Sequence, residues 1–292
     1  MNLNAEKHHK LKDLVNLVNQ SEISSIKSIV SGVIKIINDP DSTIWDLKEI
    51  IEVDPPLTAK VLMQANSAYY APPKRIGEIK QAVIWIGFDA LKELALSQKV
   101  FGIFNGNGSF KDYSIASLWK HSVAAALLAK MIYRREFRER GANAYVAGLL
   151  HDIGIIVESQ FLQNEFKHVL SKAKQEKKNL SEAEQEVFGF NHAHIGMAIA
   201  QNWNLPQELI DAIGYHDKPL EADQTFSKLA LTLYVAEYCC KNNSIGYSDV
   251  PFPDDAIFQG CLTALNVEPH ALDLIVASVT SELAKMEGQG LV

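Results

Sequence analysis

Apolar residues recur along most of this chain at spacings of three and four, the period of a helix with one buried face. Alternating, strand-like stretches are nearly absent. Thr43-Ile44-Trp45-Asp46 reads as a capping box ahead of Leu47, Ile50 and Ile51. Asp54-Pro55 marks a second start, with an acid at the N-cap and proline at the first helical position. The helix it opens carries Leu57, Val61, Leu62 and Ala65 on one stripe and ends at Asn66-Ser67. Ile76, Ile79, Val83 and Ile86 repeat at 3-4-3 spacing and predict the next helix, closed by Gly87. Another runs through Leu91, Leu94 and Ala95.

Phe104-Asn105-Gly106-Asn107-Gly108-Ser109 is the clearest break, because Asn-Gly pairs mark turns. Beyond it a long helix is predicted from Tyr113 to Arg135, and Ser181-Glu182-Ala183-Glu184 reads as another capping box. Leu205-Pro206 opens a helix ending near Tyr215, and further helices span Phe226 to Cys240 and Pro269 to Met286. The expected class is all-α. Its organisation is an N-terminal helical extension over 1–22, an N-terminal helical subdomain over 23–104, a linker over 105–112 and a second helical subdomain over 113–292.

Composition narrows the function classes. The chain has 292 residues, 47% apolar and 22% charged, as ordinary globular proteins do. Its net charge of −7 argues against general binding of nucleic acid or anionic membranes. The N-terminus, Met1 to Asp13, is polar and has no secretory core. The most apolar stretch, Ser122 to Tyr133, is interrupted by Lys130 and falls short of the ~20 residues of a membrane span. Cys239, Cys240 and Cys261 form no disulfide framework and read as small core residues, so a cytoplasmic location is expected. Arg134, Arg135, Arg138 and Arg140, interleaved with Glu136 and Glu139, read as a solvated helix end.

The chemistry lies in the histidines. His151 and Asp152, two strong metal ligands, stand side by side after the apolar run Ala147 to Leu150. Adjacent helical residues project about 100° apart, so both can approach one ion only near a helix end or with the ion close to the backbone. His121 shares its helix face with Leu118, Ala125 and Leu128, and so points inward. His192 shares a face with Gly196, which leaves room for a backbone or an ion; His194, two positions away, reads as a surface or supporting residue. His216-Asp217 is a second doublet, and Glu237 is an acid among apolar neighbours. His8, His9, His168 and His270 look unrelated. Buried imidazoles and acids need hydrogen-bond partners or a metal. Two readings stay open: a metal site, or a polar hydrogen-bonded core.

The order His121, His151-Asp152, then Glu237 resembles the HD superfamily of metal-dependent phosphohydrolases. The stretch His192 to Gly196 and the doublet His216-Asp217 resemble its HD-GYP branch. The chain is most similar to the HDOD family through Asp54 to Leu62, Ala65 to Tyr70, Ile76 to Gly87 and Trp203-Asn204-Leu205-Pro206. This resemblance covers residues 20 to 285. It implies an HD-type helical bundle and a bacterial signal-transduction protein acting by ligand or partner binding. It also implies a site in which His121, His151, Asp152, His192, His216, Asp217 and Glu237 hold one or two divalent transition-metal ions. Iron comes first by family analogy, then manganese, nickel or zinc. Glu237 replaces the usual Asp, and Asp217 replaces a common second His. The expected partner is a signalling protein or a nucleotide ligand.

The alternative is a metal-dependent phosphohydrolase acting on a nucleotide or cyclic dinucleotide, with Asp152 at its centre. Two departures weigh against it. Where HD-GYP enzymes carry a lysine after the doublet, this chain has Ile155, and His216-Asp217 runs into Lys218-Pro219 instead of a Gly-Tyr-Pro loop.

Overall fold

The structure, a computed structural model, describes residues 2–105, 114–225, 227–246 and 254–288. Among these residues every regular element is helical, as the spacing predicts. The N-terminal helices are α1 (Asn2–Asn19), α2 (Glu22–Ser25), α3 (Lys27–Asn38), α4 (Ile44–Glu52), α5 (Pro55–Ala65), α6 (Ile79–Ile86) and α7 (Phe88–Phe101). They are followed by α8 (Ile115–Glu136), α9 (Ala142–Leu150), α10 (Ile153–Phe161), α11 (Gln163–Glu176) and α12 (Leu180–Val187). The last are α13 (His192–Asn202), α14 (Gln207–Tyr215), α15 (Ser227–Asn242), α16 (Asp255–Leu265) and α17 (Pro269–Glu287). Nearly all of the predicted linker 105–112 lies outside the described residues.

The local start signals act as their chemistry dictates. The Thr43 side chain accepts from Asp46 N while the Asp46 carboxylate accepts from Thr43 N, so both orphan N–H groups are satisfied. Asp54 accepts from Leu57 N and Pro55 opens α5. Ile76, by contrast, stands outside α6, which begins only at Ile79. Asn66 explains the difference. Its side chain accepts from Ile76 N at 2.8 Å and donates to Ile76 O at 2.8 Å, holding that backbone as a neighbouring strand would. Ser181 and Glu184 form no capping box either. Asn179 caps α12 by accepting from Glu182 N at 2.8 Å, two residues earlier than predicted.

Helix α8 is the axis of the second half and packs against α9, α15 and α17. It is 22 residues long, and apolar enough to cross a membrane by length and composition alone, but most of it is buried among these neighbours. Two glycines permit the close approaches that build the site. A Cβ on Gly148 would collide with the backbone of Ala126, so only glycine lets α9 lie this close to α8. A Cβ on Gly154 would collide with the carbonyl of His192, so glycine also sets α10 against the start of α13. The N-terminal helices α3 and α7 pack on α9, and one continuous core runs from Leu14 to Leu283. The three cysteines are free and buried in it, and burial pushes the Cys239 and Cys261 thiols up to about 12.

Candidate metal centre

Five helix segments deliver seven ionisable side chains to one place. His121 comes from the middle of α8 and Glu237 from α15. His151 closes α9 and Asp152 precedes α10, so the chain breaks between the two residues of the doublet. That break overcomes the angular mismatch of adjacent helical positions, and both side chains face inward. His192 opens α13, and His216-Asp217 closes α14. All but Asp217 are buried, and Asp217 is partly so.

The donor atoms fall into two groups that share Asp152. His121, His151 and Asp152 offer ligand atoms within 4.8 Å of one another, as do Asp152, His192 and His216. Asp152 Oδ2 lies 3.2 Å from His151 Nε2 and 3.7 Å from His121 Nε2. Its other oxygen, Oδ1, lies 3.7 Å from both His192 Nε2 and His216 Nε2. Glu237 Oε1 joins the first group, 2.6 Å from His121 Nε2 and 3.0 Å from His151 Nε2. Asp217 joins the second, with Oδ2 3.4 Å from His192 Nε2 and Oδ1 3.6 Å from His216 Nε2.

Three of the four imidazoles are oriented from behind, and His121 Nδ1 is buried without a partner. His151 Nδ1 lies 2.7 Å from Gly148 O and His216 Nδ1 lies 2.7 Å from Ile213 O, so Nδ1–H donates and the Nε2 lone pair faces the cluster. His192 Nδ1 donates to Glu184 Oε2 at 2.7 Å, and the same oxygen accepts from His192 N at 2.8 Å. This is the carboxylate–histidine support that fixes tautomer and ring angle in metal sites. With Nδ1 committed, His192 Nε2 and His216 Nε2 face each other at 3.2 Å. Two lone pairs at that distance repel unless a proton or a cation stands between them.

The electrostatics say the same. Burial alone would raise Asp152, but His151 and His192 hold its carboxyl far below the usual range. Burial pulls His151 down, and Asp152 and Glu237 override it to leave the imidazole well above its ordinary value. His192 is likewise lowered by burial and then lifted to about 10 by Glu184 and Asp217. His216 is lowered by burial and stays neutral. Protons on His151 and His192 thus balance the buried acids, and a metal would displace them.

A divalent metal fits this donor set. His151 Nε2, Asp217 Oδ2 and Glu237 Oε1 are buried without an aligned hydrogen bond, despite their short approaches. Atoms that share one ion at about 2.1 Å stand roughly 3 to 3.5 Å apart, and the donors here approach one another at 2.6 to 3.7 Å. The cavity the cluster encloses is small, about 20 Å³, and Ile155, Leu180 and Lys241 also line it.

A family model describing the HDOD domain matches residues 23–219, two thirds of the chain. The chain belongs to the HDOD family. Glu237 lies beyond the matched stretch. An HDOD domain protein of unknown function from Geobacter sulfurreducens is similar in structure, at 28% identity and a TM-score of 0.73 over 89% of both chains. A Marinobacter aquaeolei protein provisionally named for signal transduction shares the fold at a TM-score of 0.80 and 21% identity, over 98% of this chain and 66% of that one. A Shewanella amazonensis protein provisionally named a phosphohydrolase shares it at 0.64 and 24%, over 90% of both. An uncharacterised protein of Treponema pallidum is 25% identical over 85% of this chain and 47% of its own length. Ribonuclease Y of Mycoplasmoides gallisepticum is 26% identical over 69% of this chain and 30% of its own length. This HDOD protein therefore spans less than half the length of the curated relatives it matches.

Three participants escape a reading of residue types. Glu184 is fully buried behind His192, and its signal was its place on the apolar face with Leu180, Ala183 and Val187. Glu158, on α10, is also fully buried; burial and neighbouring Glu184 raise it well above the ordinary carboxyl range. Lys241, one turn beyond Glu237, brings its amine to 3.6 Å from Glu237 Oε2. His194 supports the backbone: it is the third residue of α13 and exchanges hydrogen bonds with the capping Asn191. The space that Gly196 leaves is taken by Ile213, which a Cβ there would crowd at 2.8 Å.

Proposed function

We propose that this HDOD protein is a metal-dependent signal-transduction module that acts by binding a nucleotide ligand or a signalling partner. In this reading its seven-residue centre holds two divalent ions that share Asp152, with iron the first candidate, then manganese, nickel or zinc. His121, His151 and Glu237 hold one, and His192, His216 and Asp217 the other. The observation that carries the reading is a seven-residue donor set, with three of its four imidazoles oriented from behind, around a cavity of about 20 Å³. Such a volume accommodates little more than a water molecule, far below the several hundred cubic ångströms of a nucleotide pocket. Ile155 is buried at the position where the hydrolytic relatives carry lysine. Phosphodiester cleavage also needs groups that hold the phosphate in line, and the cavity offers few.

Lys241 favours a second reading, a metal-dependent phosphohydrolase. It brings a cation into the same cavity from α15, and a bound metal would supply a Lewis acid for a phosphoryl oxygen. The similarity to ribonuclease Y adds RNA to the nucleotides and cyclic dinucleotides that this reading takes as substrates. The two readings separate in one assay. Untagged protein reconstituted with iron or manganese is offered cyclic di-GMP, nucleoside triphosphates and a short RNA. Ligand binding without turnover is expected. Robust turnover that disappears in Asp152→Ala would overturn the first reading and establish the second.

A further inference from the structure

A second cavity, far larger, opens between α7 and the end of α8, with a volume of about 370 Å³. Its walls come from both halves: Gly87, Phe88 and Lys92 on one side, Lys130, Arg134 and Arg140 on the other. Two carboxylates lie among these cations and both are taken. Lys92 Nζ lies 2.7 Å from Asp89 Oδ1, and Lys130 Nζ lies 2.7 Å from Glu93 Oε2. Arg134 and Arg140 make no ion pair or hydrogen bond among the described residues. Four cations against two acids leave the cavity an excess of two positive charges, in a chain whose net charge is −7. The start of α7, a 14-residue helix, lines the same opening, and Gly87 supplies no side-chain cap to it. Of the arginines read in sequence as a solvated helix end, Arg135 fits a surface role, since it donates to Ser278 at 3.1 Å. Arg134 and Arg140 are likewise exposed, as that reading expects, and also line the cavity.

We propose that this cavity binds a phosphorylated small molecule of nucleotide size, held by the forked guanidinium groups of Arg134 and Arg140. Guanidinium groups pair with phosphate oxygens two at a time, and an uncapped helix start accepts the same charge. The volume lies within the range of small-ligand sites, and Phe88 lines it with Lys92 Nζ 4.5 Å from its ring centroid. Helices α8 and α9 lead from this cavity to His121 and His151, so a ligand here would brace the N-terminal helices against the two helices that carry the metal centre. The proposal rests on the nucleotide-binding reading above and gives that ligand a site away from the metal centre, so chelator-treated protein tests it apart from the metal.

The test is calorimetry on chelator-treated protein with pyrophosphate and with adenosine triphosphate. A single site is expected, with tighter binding of the nucleotide than of pyrophosphate. The double variant R134A/R140A is expected to bind roughly tenfold or more weakly. R134K/R140K, which keeps the charge but not the fork, should fall between. R135A/R138A loses the same charge outside the cavity and should stay within about twofold of the parent, at matched salt. Circular dichroism checks that each variant is folded. Failure of the parent to bind either probe at millimolar concentration overturns the proposal. So does equal weakening in R134A/R140A and R135A/R138A, which would mean diffuse charge attraction. Loss of binding in Asp152→Ala alone would locate the anion at the metal centre, and binding of a short RNA but neither small probe would assign the cavity to nucleic acid; either result overturns it as well.

Discussion

In the N-terminal helices, Thr43, Asp54 and Asn66 answer local backbone demands. Thr43 caps α4, Asp54 caps α5 and holds Lys99, and Asn66 satisfies both polar groups of Ile76. In the second half, acids and imidazoles are buried together at the meeting point of α8, α9, α13, α14 and α15. The difference is one of solvability. A cap is satisfied by a single donor nearby in sequence, and its energy is local. A buried cluster whose Nε2 lone pairs and carboxylates face one another cannot satisfy itself, because its members are mostly acceptors. It needs protons or a cation, and this links stability in the second half to metal as well as to pH, while the acids of the first half, such as Asp54, are satisfied by their own caps and ion pairs.

Breaking the shared ligand should sharpen this contrast most. Asp152→Ala is expected to remove metal from both groups and His216→Ala from only one, as measured by elemental analysis of untagged protein. Chelation should lower the melting temperature of the parent by roughly 5–10 °C and leave that of Asp152→Ala unmoved. Equal metal content in the parent and both variants would refute the shared centre. Next in size, Glu184→Gln should weaken metal binding about 10- to 100-fold with the helical content intact, since the carboxylate orients His192 without touching the ion. A competition titration against a chelator reads this out.

In the N-terminal half, Asn66→Ala strands two backbone groups of Ile76 and should cost about 2 kcal/mol in a denaturant titration. Metal content should not change; a loss would mean that the two halves are not separable in this way. The smallest effect is expected at Glu158. Its carboxyl is raised in the folded state by burial and by Glu184, so the native protein holds a proton that the unfolded chain releases at lower pH. Stability from this group is therefore full below the ordinary glutamate value and declines as pH rises toward the folded value. Glu158→Gln removes that decline. Between pH 5 and pH 8 its melting temperature should fall less than that of the parent, by about 1–3 °C. Parallel pH profiles would show that Glu158 is not the titrating group.

Much of the fold was legible because its signals are short-range. The capping box at Thr43 and the N-cap at Asp54 act within three residues, and periodicity placed α5, α8, α14, α15 and α17 to within a few positions. The errors arose where a competing partner came from elsewhere. Ile76 shares the apolar period of α6 but is claimed by Asn66, ten residues earlier. Ser181 and Glu184 have the right spacing for a capping box, but Asn179 caps the helix and Glu184 turns inward to His192. Arg134 and Arg140 are solvated, as their setting in the sequence suggests, and only the fold shows that they also line a cavity beside α7.

The sequence by itself determined the helices, their apolar faces and the kinds of donor on offer, because periodicity, caps and ligand chemistry are properties of residue type and spacing. Only the tertiary structure decided that Asp152 presents one oxygen to each of two histidine pairs, and that Glu184 and Lys241 attend the cluster. It also decided that so little space remains around the donors. Those facts depend on the angles at which helices distant in sequence cross, and these are set by packing, down to a glycine at 148 and another at 154 that let backbones touch.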